Sequence, residues 1–236
     1  MTKGAIIIGA TSGIGWAVAQ QLHQVGYRVG VTGRRQERLK AMHMPYRVMD
    51  VTDTTAARRA LHELIAELGD VDLFVISAGI GYVNHALDWT LEAPTLMTNV
   101  VGLAAIATLS FDYLHTRGHG TLAIISSVIG LRGVGAAPAY SASKGFARMY
   151  ADALRAQAHQ RNSKIHVVDI RPGFVDTDLI ANNTYRFGVV PLDKAARHIV
   201  RALLAKHPPS VLYVSRRWQL VAWLLRLLPS KILSRF

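Results

Sequence analysis

The chain has 236 residues, half of them apolar, no cysteine, and a formal charge of +12 from 27 Lys and Arg against 15 Asp and Glu. That length buries one substantial core and excludes a second full domain. The composition excludes a disordered chain, and the lack of cysteine excludes disulfides, thiolate nucleophiles and cysteine-held metals.

The first element is GAIIIG, 4 to 9. Its apolar run is too short for a signal-sequence core or a membrane span, so synthesis and folding in the cytoplasm are expected. Gly9, Gly13 and Gly15 follow it and lead into a helical segment over 13 to 25. Glycines between a strand and a helix let the backbone approach a pyrophosphate, which the helix N-terminus attracts. The next strand, RVGVTG (28 to 33), ends on Arg34 and Arg35, with helical spacing over 35 to 41 and no acid before Glu37. Two guanidinium groups there suit a ribose 2′-phosphate and point to NADP(H) rather than NAD(H).

A short strand at 46 to 50 delivers Asp50 and Val51, which either cap the following turn or face an adenine ring. A helix over 54 to 68 leads to VDLFVIS (71 to 77), and Ser77, Ala78 and Gly79 then offer small residues that a ribose or nicotinamide can approach. A long helical segment over 91 to 117 precedes TLAIIS (121 to 126), which runs into Ser126 and Ser127. Tyr140 opens the next helix, 139 to 159, and Lys144 lies one turn later on the same face. Alone, such a pair is usually a core tyrosine and a snorkelling lysine. An ammonium beside a phenol also favours the phenolate and makes proton exchange with a substrate oxygen possible. The strands KIHVVDI (164 to 170) and SVLYVS (210 to 215), with a helix over 194 to 206 between them, complete the alternation. Strand–helix alternation with apolar strands predicts an α/β Rossmann fold, a doubly wound, mostly parallel seven-stranded sheet with helices on both faces. Its site lies beyond the carboxyl ends of the strands.

In order and spacing, GATSGIG, TGRR, DVTD, SAG, TNVVG, ISS, YSASK and RPGFVDT resemble the short-chain dehydrogenase/reductase family over about residues 4 to 215. The resemblance implies hydride exchange between NAD(P) and a carbonyl or alcohol. It implies Tyr140 as the general acid, Ser127 as hydrogen-bond donor to the substrate oxygen, and Lys144 as the residue that binds the nicotinamide ribose and lowers the tyrosine pKa. Asn99 would anchor a water in the proton relay. Gly9, Ser12, Gly13, Ile14 and Gly15 match the pyrophosphate loop; Pro172, Gly173, Val175 and Thr177 match the segment that closes over the nicotinamide. Ser77 departs from the asparagine usual in the family, and the stretch from 178 to 191 is brief where many relatives carry a long substrate lid. Pocket walls are expected from 81 to 86, 129 to 138 and 178 to 191, with Tyr82, His85, Phe174 and Tyr185 as candidates.

Residues 1 to 215 form the catalytic domain of this reading, and 216 to 236 a basic, apolar tail, RRWQLVAWLLRLLPSKILSRF. From Lys194 onward there are nine basic residues and no acid. The tail is too short to span a bilayer, yet most of its helical circumference is apolar, so it must pack on the enzyme, on another subunit or in a membrane interface. Peripheral membrane contact, on the inner face of a membrane, is one expectation, and it favours a lipophilic carbonyl or alcohol substrate. The charge also raises nucleic-acid binding, which is set aside because the body has no recognition module or basic helix with stacking aromatics. The leading expectation is an NADP(H)-dependent carbonyl reductase or alcohol dehydrogenase with no metal, a homodimer or homotetramer by analogy with the family. The alternative is a non-catalytic NADP(H)-binding regulatory or membrane-associated interaction protein.

Overall fold

The computed structural model describes residues 3–178 and 188–227. Seven strands form one sheet: β1 (Gly4–Ile8), β2 (Arg28–Gly33), β3 (Tyr46–Val48), β4 (Val71–Ile76), β5 (His119–Ile125), β6 (Lys164–Arg171) and β7 (Val211–Tyr213). Their order is β3-β2-β1-β4-β5-β6-β7, and every pairing is parallel. From β1 the chain moves outward through β2 and β3, then returns to the other side of β1 with β4. That reversal opens a crevice where strand ends diverge.

The helices are α1 (Gly13–Gln24), α2 (Gln36–Lys40), α3 (Thr54–Leu68), α4 (Trp89–Leu96), α5 (Leu103–Arg117), α6 (Pro138–Gln160), α7 (Leu192–Leu203) and α8 (Arg216–Leu227). Period-two alternation along the central strands feeds two cores. Ala5, Ile7, Leu73, Val75, Ala123 and Ile125 pack with α1 and α7. Ile6, Ile8, Phe74, Ile76, Leu122 and Ile124 pack with α3, α5 and α6 on the opposite face. Strands buried on both faces explain the near-continuous apolar runs of the sequence.

One element departs from the expectation. The long helix read over 91 to 117 is α4 and α5 joined by a π-turn, Met97–Gly102, with Pro94 inside α4. The span Trp89–Arg117 is long and apolar enough to cross a membrane by length and composition, but 56% of its most apolar window is buried in the protein. Leu103, Ile106, Phe111 and Leu114 pack in the core, so it is a core helix. The first part of the tail is the helix α8, which folds onto the body: Trp218 and Ala222 belong to the core on the α1 and α7 side. Residues 228 to 236, and the stretch 179 to 187 with Tyr185, lie outside the described residues.

Candidate active site

A cavity of about 700 Å³ opens along the carboxyl edge of the sheet. At one end it is walled by the turn after β1. Gly9 sits at φ +86°, and a Cβ there would lie 2.5 Å from the Ala78 amide nitrogen, so glycine is required for β1 and β4 to approach at the crevice. Gly15 is off the wall, packed under the carbonyl of Gly9. The helix α1 starts without a side-chain cap from Ser12 and without an acid in its first turn. With Gly13 and Ile14 on the cavity wall, its first amides and its dipole are available to an anion.

Arginines surround that end. Arg35 donates from Nε and Nη2 to Thr11 Oγ1 at 3.1 and 2.7 Å and from Nη2 to Ser12 Oγ at 2.6 Å. Arg38, which the sequence reading did not single out, donates to the Thr11 carbonyl at 3.2 Å and lies 3.7 Å from Asp178 Oδ2. Arg34 stands 4.0 Å from Asp50. Burial first, then the charges of Arg38 and Arg34, pull the Arg35 pKa down against the opposing pull of Asp178, a sign of concentrated positive potential. Asp50 caps the turn after β3: its carboxylate accepts from Thr52 N and Oγ1 at 2.9 and 2.8 Å, and the residue also lines the cavity with Val51. Burial opposes its ionisation, but the Thr52 hydrogen bonds and the Arg34 charge outweigh it and hold its carboxyl below the usual range. Thr32, also on the wall, buries a hydroxyl oxygen that has no hydrogen-bond partner among the described residues.

Ser77, Ala78 and Gly79 lie at the middle of the cavity, and Ser127, Tyr140 and Lys144 at the other end. Lys144 is buried and donates from Nζ to the Ile125 carbonyl at 3.0 Å, with Nζ 5.8 Å from the Tyr140 ring centroid. Burial pushes the Tyr140 phenol up to about 12. It pulls the Lys144 ammonium down to about 8, with the charge of Asp169 opposing. Burial alone raises the phenol here, and Lys144 Nζ is held by the Ile125 carbonyl. The phenol keeps its proton at neutral pH, and a positive charge beside it makes that proton easier to give up.

Ser127 accepts from Ile129 N at 3.2 Å and donates to the Pro172 carbonyl at 3.3 Å, capping a 3-10 turn at Val128–Leu131 while facing the cavity. Asn99 lies behind the wall. It donates to the Ile80 carbonyl at 2.7 Å and to Ser143 Oγ at 3.0 Å and accepts from Ile80 N at 2.9 Å. It thus staples the strand-end loop after β4 to α6, with both amide hydrogens engaged. The π-turn places it there.

Pro172, Gly173, Phe174, Val175 and Thr177 follow β6 along the wall, as expected. Tyr82 also lines the cavity, whereas His85 is exposed and off the wall. Three further contributors come from α8, from Arg132 within the expected 129 to 138 wall, and from α4. Trp218 and Leu225 of α8 close the side of the cavity near Phe174. A Cβ on Gly173 would overlap the Trp218 indole, whose Nε1 donates to the Gly188 carbonyl at 2.9 Å and whose ring meets Phe174 edge to face at 5.3 Å. Arg132, on the wall, donates from Nε to the Leu225 carbonyl at 3.1 Å and ties the loop after the 3-10 turn to α8. The third is Glu92. The helix α6, which carries Tyr140 and Lys144, begins Ala137-Pro138-Ala139 and has no side-chain cap of its own. Glu92 of α4 supplies one, accepting from Ala139 N at 2.9 Å with one oxygen and from Asn84 Nδ2 at 2.8 Å with the other.

A family model described as short chain dehydrogenase matches residues 3–186. An uncharacterized oxidoreductase of Myxococcus xanthus is 34% identical over 194 residues, covering 78% of this chain and 76% of its own. A 3-ketodihydrosphingosine reductase of Bacteroides thetaiotaomicron is 32% identical over 186 residues, 76% of this chain and 68% of its own. Among solved structures, the closed form of a serine dehydrogenase complexed with NADP+ is 25% identical with a TM-score of 0.79, covering 89% of this chain and 93% of that one.

Proposed function

We propose, from the premise that the chain belongs to the short chain dehydrogenase family of oxidoreductases, that it interconverts a carbonyl and an alcohol with NADP(H). The observation that carries this reading is continuity: one cavity runs from the arginines around the glycine turn to Ser127, Tyr140 and Lys144. The uncapped start of α1 fits a pyrophosphate, and the guanidinium groups of Arg34 and Arg35 fit a 2′-phosphate. Bound NADPH supplies the hydride for reduction. Ser127 Oγ donates a hydrogen bond to the substrate oxygen and holds the reacting carbon in place. Tyr140, neutral at working pH, donates its proton to the oxygen as negative charge develops there, and takes it back in the reverse direction. Lys144 keeps a positive charge beside the phenol, so that the tyrosinate left behind is less costly.

The apolar wall at Phe174, Val175, Trp218 and Leu225 suits a lipophilic carbonyl or alcohol. A relative that carries the name 3-ketodihydrosphingosine reductase points the same way. A cytoplasmic homodimer or homotetramer completes the reading. Exposed Met97, Val101 and Met149, on the α4–α5 helical span and on α6, provide apolar area for such pairing.

Calorimetric titration with NADPH and NADH, side by side with Arg34→Asp, tests the assignment. NADPH is expected to bind more tightly than NADH, and Arg34→Asp to lose about ten- to a hundredfold in NADPH affinity, the worth of a charge-assisted hydrogen bond plus the added repulsion. No binding of either nucleotide ends the oxidoreductase reading.

A further inference from the structure

The helix α8 has two apolar faces. Trp218, Ala222 and Leu225, spaced by four and three residues, turn inward onto the body and the cavity wall. Leu220, Trp223, Leu224 and Leu227 share the opposite side and are 47% to 63% exposed. A helix that served only to wall the cavity would carry polar residues there. Exposed Arg216 and Arg217 stand a turn before Leu220 on the outer side. A shallow groove on this side is lined by Tyr213, Arg216, Gln219, Leu220 and Trp223. Tyr82 and Val83, on the same cavity's wall, are also exposed, at 45% and 69%. Outward-facing apolar side chains thus belong to two separate segments that border one substrate cavity.

We propose that the outer face of α8 docks on an anionic lipid surface and that a lipophilic carbonyl or alcohol enters the cavity from that surface. Charge selects the occupant. Pairing this face with a second copy about a two-fold axis brings Arg216 and Arg217 onto a surface that carries the same two cations. The sequence from Lys194 onward has no acid to relieve that repulsion. An anionic bilayer attracts the same residues and accepts the leucines and tryptophan beside them. With 12 residues, α8 cannot span a bilayer and lies in the interface plane. The substrate part of the proposal rests on the reductase reading; the docking part does not.

Flotation of the 236-residue chain with phosphatidylcholine vesicles, with and without phosphatidylglycerol, tests it. Comigration with the anionic vesicles is expected, weakened about tenfold or more on neutral vesicles or in high salt. The double variant Trp223→Ser with Leu224→Ser, whose side chains are off the cavity, is expected to lose about tenfold in bound fraction. Its circular dichroism melting curve and NADPH affinity should be those of the parent. Arg216→Glu with Arg217→Glu should abolish the preference for anionic lipid. The proposal is overturned if the parent chain stays with the soluble fraction in the presence of anionic vesicles, or if both double variants float as the parent does. It is equally overturned if the serine variant instead dissociates a dimer and no vesicle binding occurs, since a second copy then covers the face. Lost flotation with intact NADPH binding and turnover removes docking alone. Lost NADPH binding with intact flotation removes the reductase reading alone.

Discussion

The two ends of the cavity are built by different means. The nucleotide end is made of turns and helix starts: Gly9, the first amides of α1, and arginines that follow β2 within a few residues. The substrate end is made of contacts between distant segments. Arg132 reaches Leu225, 93 positions away, Glu92 reaches Ala139, 47 away, and Trp218 lies over Gly173. The first end depends on backbone geometry and charge, the second on packing. Substitutions at the two ends should therefore separate nucleotide affinity from substrate handling.

The sharpest separation is expected from Tyr140→Phe. Removing the proton donor should lower kcat by about 10²- to 10⁴-fold, while NADPH affinity by calorimetry stays within about twofold. Equal losses in both would mean that the phenol serves the nucleotide end. Trp218→Ala should act at the packing end. The contact it removes is worth about 1.5–3 kcal/mol, which predicts a rise in KM of about ten- to a hundredfold for an apolar substrate, accompanied by a lower melting temperature. Unchanged KM would show that the indole only supports the fold.

Proton linkage sharpens the comparison further. Lys144 carries its proton below about 8 in the folded chain, against 10.5 as its ordinary value. Reduction that needs the ammonium should keep its full kcat/KM below that pH and lose about tenfold per unit above it. Stability moves the other way for this group. Between about 8 and 10.5 the unfolded chain binds more protons at this position than the folded one, so folding is favoured as pH rises through that window. Tyr140 has the opposite sign, because its folded pKa of about 12 lies above the ordinary 10.0, and its contribution is lost only above 10.0. Between about pH 8 and 10, kcat/KM should fall while the melting temperature is not lowered by either group. The smallest effect is expected at Glu92. Glu92→Ala should cost about 1 kcal/mol of stability, the usual worth of a helix cap, with a fall in kcat of about fivefold as the start of α6 loosens. Glu92→Gln keeps a side-chain acceptor and should recover most of it.

Legibility from sequence follows the same division. The strands, the glycine turn and the Tyr140–Lys144 face could be read because each depends on residues close in the chain. Trp218 could be read only as apolar and in need of burial, since nothing local to it names Gly173 or Phe174 as its partners. Arg38 was hidden among surface charges of a short helix, and Glu92 looked like an ordinary first-turn acid. Asn99 was identified through a family resemblance, but its hydrogen bonds to Ile80 and Ser143 depend on a π-turn that the apolar pattern of 91 to 117 does not announce.

That π-turn puts the helical segments on either side of it out of phase. An α-helix advances about 100° per residue, and the π-turn takes one extra residue for the same rotation, so the side chains after it stand roughly that angle from where unbroken α winding would put them. The segment before the turn presents Glu92 to the start of α6, and the segment after it presents Ile106 and Phe111 to the sheet. Regular α winding of Met97–Gly102 at unchanged length would misalign one of the two, whereas deleting a single residue from the turn would give a regular helix and leave both in place. The stretch therefore behaves as a rotational coupling, in which the orientation of the cap on α6 and the seating of the core are set by the same extra residue.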